Sequence, residues 1–112
     1  MSVQLLLDGA WFTVCDPGAL LPGRGVAVLL PDGEQAAVFR TRGGAVYAID
    51  NRDPFTGARV LSRGLIGSTA GHPFVASPLL KQRFDLASGR CLDEEEVTVR
   101  TYPTRVPSLG ES

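Results

Sequence analysis

Short apolar runs broken by turn residues set the pattern of this chain, and they predict strands rather than long helices. Trp11–Cys15 makes a first short strand, Asp16-Pro17-Gly18 opens a turn, and Leu21-Pro22-Gly23 closes the loop. Gly25–Leu30, rich in valine and leucine, predicts a buried strand. Pro31-Asp32-Gly33 then turns the chain, because proline fixes φ and glycine accepts positive φ. Ala36–Thr41 returns as the second strand of a hairpin. After Arg42-Gly43-Gly44, the segment Ala45–Asp50 is apolar on both sides of its alternation, which puts it at the centre of a sheet or beneath a loop.

The alternation stops at Asn51 and stays absent to Pro73, with glycines at 57, 64, 67 and 71 and room for one helical turn over Arg59–Arg63. A loop of this length in a compact domain is functional or conceals an element. Phe74–Ala76 resumes as strand, Ser77-Pro78 interrupts, and Leu80–Leu86 continues. Ser88-Gly89 is a tight turn into Arg90-Cys91-Leu92, and Glu94-Glu95-Glu96 is a solvated charge run. Val97–Tyr102 alternates as a half-buried strand, and a polar tail follows from Pro103. The expected architecture is one all-β domain over residues 1–112, with a core over about 11–102, a tail over 103–112 and roughly seven to nine short strands.

Composition narrows the function classes. A hydrophobic share of 44% with 21% charged residues suits an ordinary folded domain, and a chain of 112 residues can bury about two-thirds of its unfolded surface. The net charge of -1 gives no general attraction to nucleic acid or anionic membrane. No apolar run approaches the ~20 residues that span a bilayer, and Met1–Asp8 has neither a basic start nor a small-residue cleavage site. Cys15 and Cys91 are too few for a disulfide framework. Cytoplasm is the expected location, with no nucleic-acid or membrane partner.

Three strings carry a family resemblance: Ile49-Asp50 running into Asn51-Arg52-Asp53-Pro54, then Ser77-Pro78-Leu79-Leu80, then Arg83-Phe84-Asp85-Leu86-Ala87-Ser88-Gly89. Together they resemble the Rieske-like fold, an antiparallel β-sandwich or barrel with two ligand-type loops. The resemblance covers about Trp11–Tyr102. In that family Cys-x-His in one loop and Cys-x-x-His in the other hold a [2Fe–2S] cluster. Laid on this chain, the frame puts Asn51 and Asp53 at the first pair and Ser77 and Leu80 at the second. An amide, a carboxylate, a hydroxyl and a leucine do not replace two thiolates and two imidazoles, so no cluster, other cofactor or metal is expected here. The lone His72 and the two cysteines lie outside these positions and fall short of a four-ligand zinc set.

Asn51-Arg52-Asp53-Pro54-Phe55, Val60-Leu61-Ser62-Arg63-Gly64 and Ala76-Ser77-Pro78-Leu79 with Lys81-Gln82 are also similar to the small subunits of assimilatory NAD(P)H-dependent nitrite reductases. That resemblance implies an auxiliary role in assembly, stability or access. It implies a large-subunit partner carrying FAD, siroheme and an iron–sulfur cluster, and an overall reduction of nitrite to ammonia by reduced nicotinamide in nitrate assimilation. It implies no catalytic residue in this chain. Two other classes stay open: a Rieske-type ferredoxin carrying electrons, against which the ligand positions argue, and a free-standing β interaction module with another partner.

Charge adds a candidate surface. Residues 51–84 hold five cations, Arg52, Arg59, Arg63, Lys81 and Arg83, against the single acid Asp53, a net +4. These loops are expected either to dock on an acidic surface of the large subunit or to draw anions toward its active site. Complementary charge chiefly sets encounter rate and orientation. Alternatively, some of the arginines brace the loops internally, with Asp53 as a partner. Leu80 is expected to fill space that a cluster would occupy, helped by Phe55, Phe74 and Leu79. Asn51 and Asp53 are expected to cap the turn into Pro54 through nearby backbone amides. His72 is expected to be a loop histidine, Cys15 and Cys91 small buried hydrophobes, and Trp11 a packing anchor near a sheet edge.

Overall fold

The computed structural model describes residues 2–106, and the last residues of the expected tail, 107–112, lie outside them. Ten short strands form three antiparallel sheets. The strands are β1 (Val3–Leu7), β2 (Ala10–Cys15), β3 (Arg24–Leu29), β4 (Gln35–Arg40), β5 (Val46–Asp50), β6 (Leu65–Thr69), β7 (His72–Ala76), β8 (Arg83–Asp85), β9 (Thr101–Tyr102) and β10 (Thr104–Arg105). Two single 3-10 turns, Pro17–Ala19 and Leu61–Arg63, are the only helical elements among the described residues. The sheets run β10-β1-β2, β3-β4-β5-β9 and β6-β7-β8.

Strand β4 of the middle sheet is buried on both faces, which explains the unbroken apolar stretch Ala36–Phe39, whereas its neighbour β3, expected to be buried, leaves Leu29 73% exposed. Ala36, Val38 and Ala48 point into one core with Val3, Leu5 and Leu7 of β1 and the loop residues Leu20 and Leu30. Ala37, Phe39 and Ile49 point the other way, into a second core with Leu61, Val75, Phe84, Leu86, Cys91 and Val99. A strand covered on both faces reads as a continuous apolar run, whereas a half-exposed one alternates. Strand β5 is thus central, flanked by β4 and β9.

The core reaches beyond the expected bounds of 11–102. Val3 and Leu5 are fully buried and Leu7 nearly so. β1 pairs with β2 across Asp8-Gly9, both at positive φ (51° and 82°), the geometry of a tight hairpin turn that suits the right-handed twist of its strands. At the other end β10 pairs with β1, and Leu6 N–H donates to the carbonyl of Pro103 (3.0 Å). Trp11 sits half-buried on the edge strand β2, with the Arg105 guanidinium over its ring at 4.2 Å.

The stretch expected to be loop from Asn51 to Pro73 contains β6 and the start of β7, turned at Ala70-Gly71 with φ of 50° and 81°. Leu65–Thr69 pairs residue by residue with His72–Ala76. The expected strand Leu80–Leu86 shrinks to Arg83–Asp85, and Val97–Tyr102 shrinks to Thr101–Tyr102. His72 begins β7 and is exposed, and Cys91 is buried. Cys15 is half-buried, and desolvation, then the neighbouring Asp16 charge, push its thiol pKa up, so it is a poor thiolate at neutral pH.

Candidate functional site

The β6-β7-β8 layer carries both ligand-type loops at one end. The first leaves β5 at Asp50 and runs to Leu65; the second joins β7 to β8 through residues 77–82. The first loop is held by its own short side chains. Asp50 Oδ1 accepts Arg52 N–H (3.0 Å), Asp53 Oδ1 accepts Phe55 N–H (2.8 Å) and Thr56 Oγ1 accepts Ala58 N–H (3.2 Å). Each is the two-residue reach by which an Asx or hydroxyl side chain fixes a turn. Backbone bonds Asp53 N–H to Ala58 O (2.8 Å) and Gly57 N–H to Asp53 O (2.7 Å) close the bend, and Arg52 and Arg59 face each other across it.

Asp53 therefore caps the turn past Pro54, as its position suggested. Asn51 has a different task. Its Oδ1 accepts the buried Ser62 N–H (2.8 Å) and its Nδ2 donates to Gln35 Oε1 (3.0 Å), tying the 3-10 turn at Leu61–Arg63 to the middle sheet. The Asn51 carbonyl takes Leu61 N–H as well (3.0 Å).

One side-chain contact joins the two loops. Ser77 Oγ donates to Asp53 Oδ2 at 2.5 Å, and both residues are fully buried. Ser77 also anchors its own loop: its Oγ accepts Leu79 N–H (3.3 Å), its N–H donates to Gln82 O (2.9 Å), and its carbonyl accepts Lys81 N–H (3.1 Å). A hydrogen bond to a carboxylate is about twice as strong as one between neutral groups. The second carboxylate oxygen is spent on Phe55 N–H, so Asp53 is satisfied entirely by neutral donors and is not the acid that braces an arginine.

Leu80 corrects the sequence expectation. It is 54% exposed and Leu79 is 49% exposed, so neither fills the interior between the loops. The bonds from Ser77 curl residues 77–82 into a tight turn with its tip in solvent. Phe55 does pack inward, its ring 6.2 Å from that of Phe84. Phe74 is half-buried with the Arg83 guanidinium over its face (5.7 Å).

The four frame positions do not suit an iron–sulfur cluster. Asn51, Asp53 and Ser77 are committed to protein partners, and Leu80 has no donor atom. No group of three or more histidine, cysteine or acidic side chains is placed to hold a metal among the described residues. Gln82 Oε1, a buried oxygen without a partner among the described residues, is a neutral amide oxygen of the wrong softness for iron–sulfide chemistry.

The five cations separate into two kinds. Arg83 forms an ion pair with Asp93 (2.9 Å) and a second bond from Nε (3.3 Å), and Arg83 N–H donates to the same carboxylate (2.9 Å). These hydrogen bonds hold the Asp93 carboxyl below its ordinary range. Arg52, Arg59, Arg63 and Lys81 are exposed, and none has an ion pair among the described residues. They lie on the two loops whose second carries the exposed tip at Leu79 and Leu80. A surface cleft of about 530 Å³ lies elsewhere, between Thr41–Gly43, Tyr47 and the β6–β7 hairpin, and takes none of the candidate residues.

A family model for the Rieske-like [2Fe-2S] domain matches residues 10–109. The chain is 48% identical over 97 residues to the nitrite reductase (NADH) small subunit of Salmonella typhimurium, covering 86% of this chain and 89% of that protein. It is 45% identical over 96 residues to a nitrite reductase [NAD(P)H] large subunit of Klebsiella oxytoca, 86% of this chain but only 10% of that protein. Among solved structures, the Escherichia coli protein NirD superposes with a TM-score of 0.78 at 46% identity, covering 88% of this chain and 89% of that one.

Proposed function

From the premise that the chain belongs to the Rieske-like [2Fe-2S] domain family, and within it to the nitrite reductase small subunits, we propose that it is a non-catalytic subunit of an NAD(P)H-dependent nitrite reductase. It binds a large subunit through its two ligand-type loops and serves that subunit's assembly, stability or access in the six-electron reduction of nitrite to ammonia. The flavin, siroheme and iron–sulfur chemistry belongs to the large subunit, and the complex works in the cytoplasm in nitrate assimilation.

The observation that carries this reading is the condition of the loops. Their interior positions are spent on structure, through Asp53–Ser77 and Asn51–Ser62, while their exterior is cationic and, among the described residues, without ion pairs apart from Arg83 with Asp93. A surface with four exposed cations that no described acid pairs suits an acidic partner. The Klebsiella relative supports the partner's identity: a stretch similar to this chain lies within a polypeptide named as a large subunit, where association is built in by covalent linkage. A ferredoxin-type electron carrier is disfavoured by the donor set.

Reversing Arg59 and Arg63 to glutamate tests this. Co-expressed with a large subunit of this enzyme class, the double variant is expected to associate at least about tenfold more weakly at low ionic strength, because two attractions become repulsions. The deficit is expected to shrink as salt rises past about 0.15 M, where the screening length falls to ~8 Å. Unchanged co-purification together with unchanged nitrite turnover would remove these loops as the docking surface.

A further inference from the structure

We propose that Leu79 and Leu80, flanked by Leu65, form the apolar centre of the docking surface and seat in an apolar pocket of the large subunit whose rim is acidic. This rests on the small-subunit reading above and assigns the energetic centre of its interface. Single exposed leucines are ordinary. Here, two consecutive leucines are about half exposed on one tied turn, and Leu65, 77% exposed, starts β6 at the same end of the layer, opposite Ala76 in register.

The turn is built to hold them outward. Ser77 fixes the turn at three points: its N–H donates to Gln82 O, its carbonyl accepts from Lys81 N–H, and its hydroxyl accepts from Leu79 N–H. That hydroxyl is in turn locked to buried Asp53. Lys81 adopts φ of 68°, the left-handed region that disfavours a residue with a side chain. Such strain is found at binding sites held in place by their surroundings. A pre-ordered apolar tip loses little entropy on docking.

The surrounding charges say what covers it. Arg52, Arg59, Arg63 and Lys81 are exposed on the same two loops, which Asp53 and Ser77 join, with no acid paired to them among the described residues, so the complementary surface is acidic at its edge and apolar at its middle. Interfaces commonly place an apolar, water-excluded centre inside a polar rim, and the centre dominates affinity. The two parts leave different kinetic marks. Rim charges act on the association rate, whereas the buried centre acts on the dissociation rate.

The test is binding kinetics on the full chain against the large subunit of an NAD(P)H-dependent nitrite reductase, at three salt concentrations. Leu79→Ser with Leu80→Ser is expected to raise the dissociation rate by about tenfold or more. The association rate and its salt slope should remain those of the parent. Because both side chains are exposed, the thermal unfolding midpoint should hold, which confirms an intact fold. Arg59→Glu with Arg63→Glu is expected to lower the association rate and flatten its salt slope. An unchanged dissociation rate in the leucine variant, with weakened arginine variants, would overturn the apolar centre and leave the docking surface standing. Unchanged kinetics in both variants would overturn both.

Discussion

Replacing Asp53 by alanine is expected to lower the unfolding free energy by about 2–4 kcal/mol. The carboxylate is fully buried and receives two hydrogen bonds, Phe55 N–H at 2.8 Å and Ser77 Oγ at 2.5 Å. Alanine leaves the buried hydroxyl without its acceptor and releases the turn after Pro54. Ser77→Ala breaks the same link from the other side and strands a carboxylate oxygen in the interior, at a similar cost. Domains of this size are stable by only about 5–15 kcal/mol, so either change consumes a large share. The double variant is expected to cost less than the sum of the two singles by 1 kcal/mol or so, since the second change removes a partner already lost. Asp53→Asn, which keeps an acceptor for Phe55 N–H and a polar neighbour for Ser77, should recover about half of the loss. Urea unfolding followed by far-ultraviolet circular dichroism reads all four. A loss under about 0.5 kcal/mol for Asp53→Ala, the range of an ordinary surface substitution, would show that the two loops are held together by something else.

A loss of about 2–5 kcal/mol is also expected for Gly89→Ala, far from both loops' tips. Gly89 is buried at φ of 78°, its N–H donates to Asp85 O (2.8 Å), and its carbonyl accepts Val99 N–H (2.8 Å). A Cβ there would overlap the Val99 carbonyl, which is backbone and cannot rotate away, and would press on Thr101 Cγ2 at 3.0 Å. The substitution thus combines left-handed strain with a backbone clash, and relieving the clash breaks the bond that carries the chain toward β9. The thermal midpoint should fall by about 8–20 °C, at roughly 4 °C per kcal/mol for a domain of this length. Gly33→Ala gives the control: its φ of 87° is similar, but nothing lies within 4 Å, so strain alone should cost about 1–2 kcal/mol. Equal losses at both positions would mean that crowding against Val99 contributes nothing.

The middle layer was the most legible part of the fold, because burial on two faces writes itself as unbroken apolar runs at Ala36–Phe39 and Val46–Ile49. Strand β1 also leaves a trace in the sequence: Val3, Leu5 and Leu7 alternate inward ahead of Asp8-Gly9, a strong short-range hairpin signal. Leu6 blurred the alternation by putting an apolar residue on the opposite face. Strand β6 was harder to see. Gly67 interrupts it, its turn is Ala70-Gly71 rather than an Asn-Gly type, and the partner strand opens on His72-Pro73. Gly67 has a tertiary reason that sequence does not state: the Phe74 ring lies across it, 2.7 Å from where a Cβ would be.

At the site, residue types told part of the story. Asp53 as a turn cap follows from its place before Pro54, and its bond to Phe55 N–H bears this out. Its second bond, to a serine 24 residues away, depends on how two loops meet and leaves no local trace. Leu80 shows the limit of hydropathy within a turn, where hydrogen bonds to Ser77 decide which way the tip points. Arg83 belongs with the loop cations by position, but its partner Asp93 lies beyond residues 51–84, so the net charge of that stretch does not reveal the pair.

Hydrogen–deuterium exchange on the chain, alone and bound to a nitrite reductase large subunit, tests the central claim most directly. Among the described residues, added protection should fall on 52–65 and 77–82, the segments carrying the exposed cations and the exposed leucines. The β10-β1-β2 sheet should exchange as it does in the free chain. Protection confined to that outer sheet, with residues 52–65 and 77–82 unchanged, would contradict docking through the two loops.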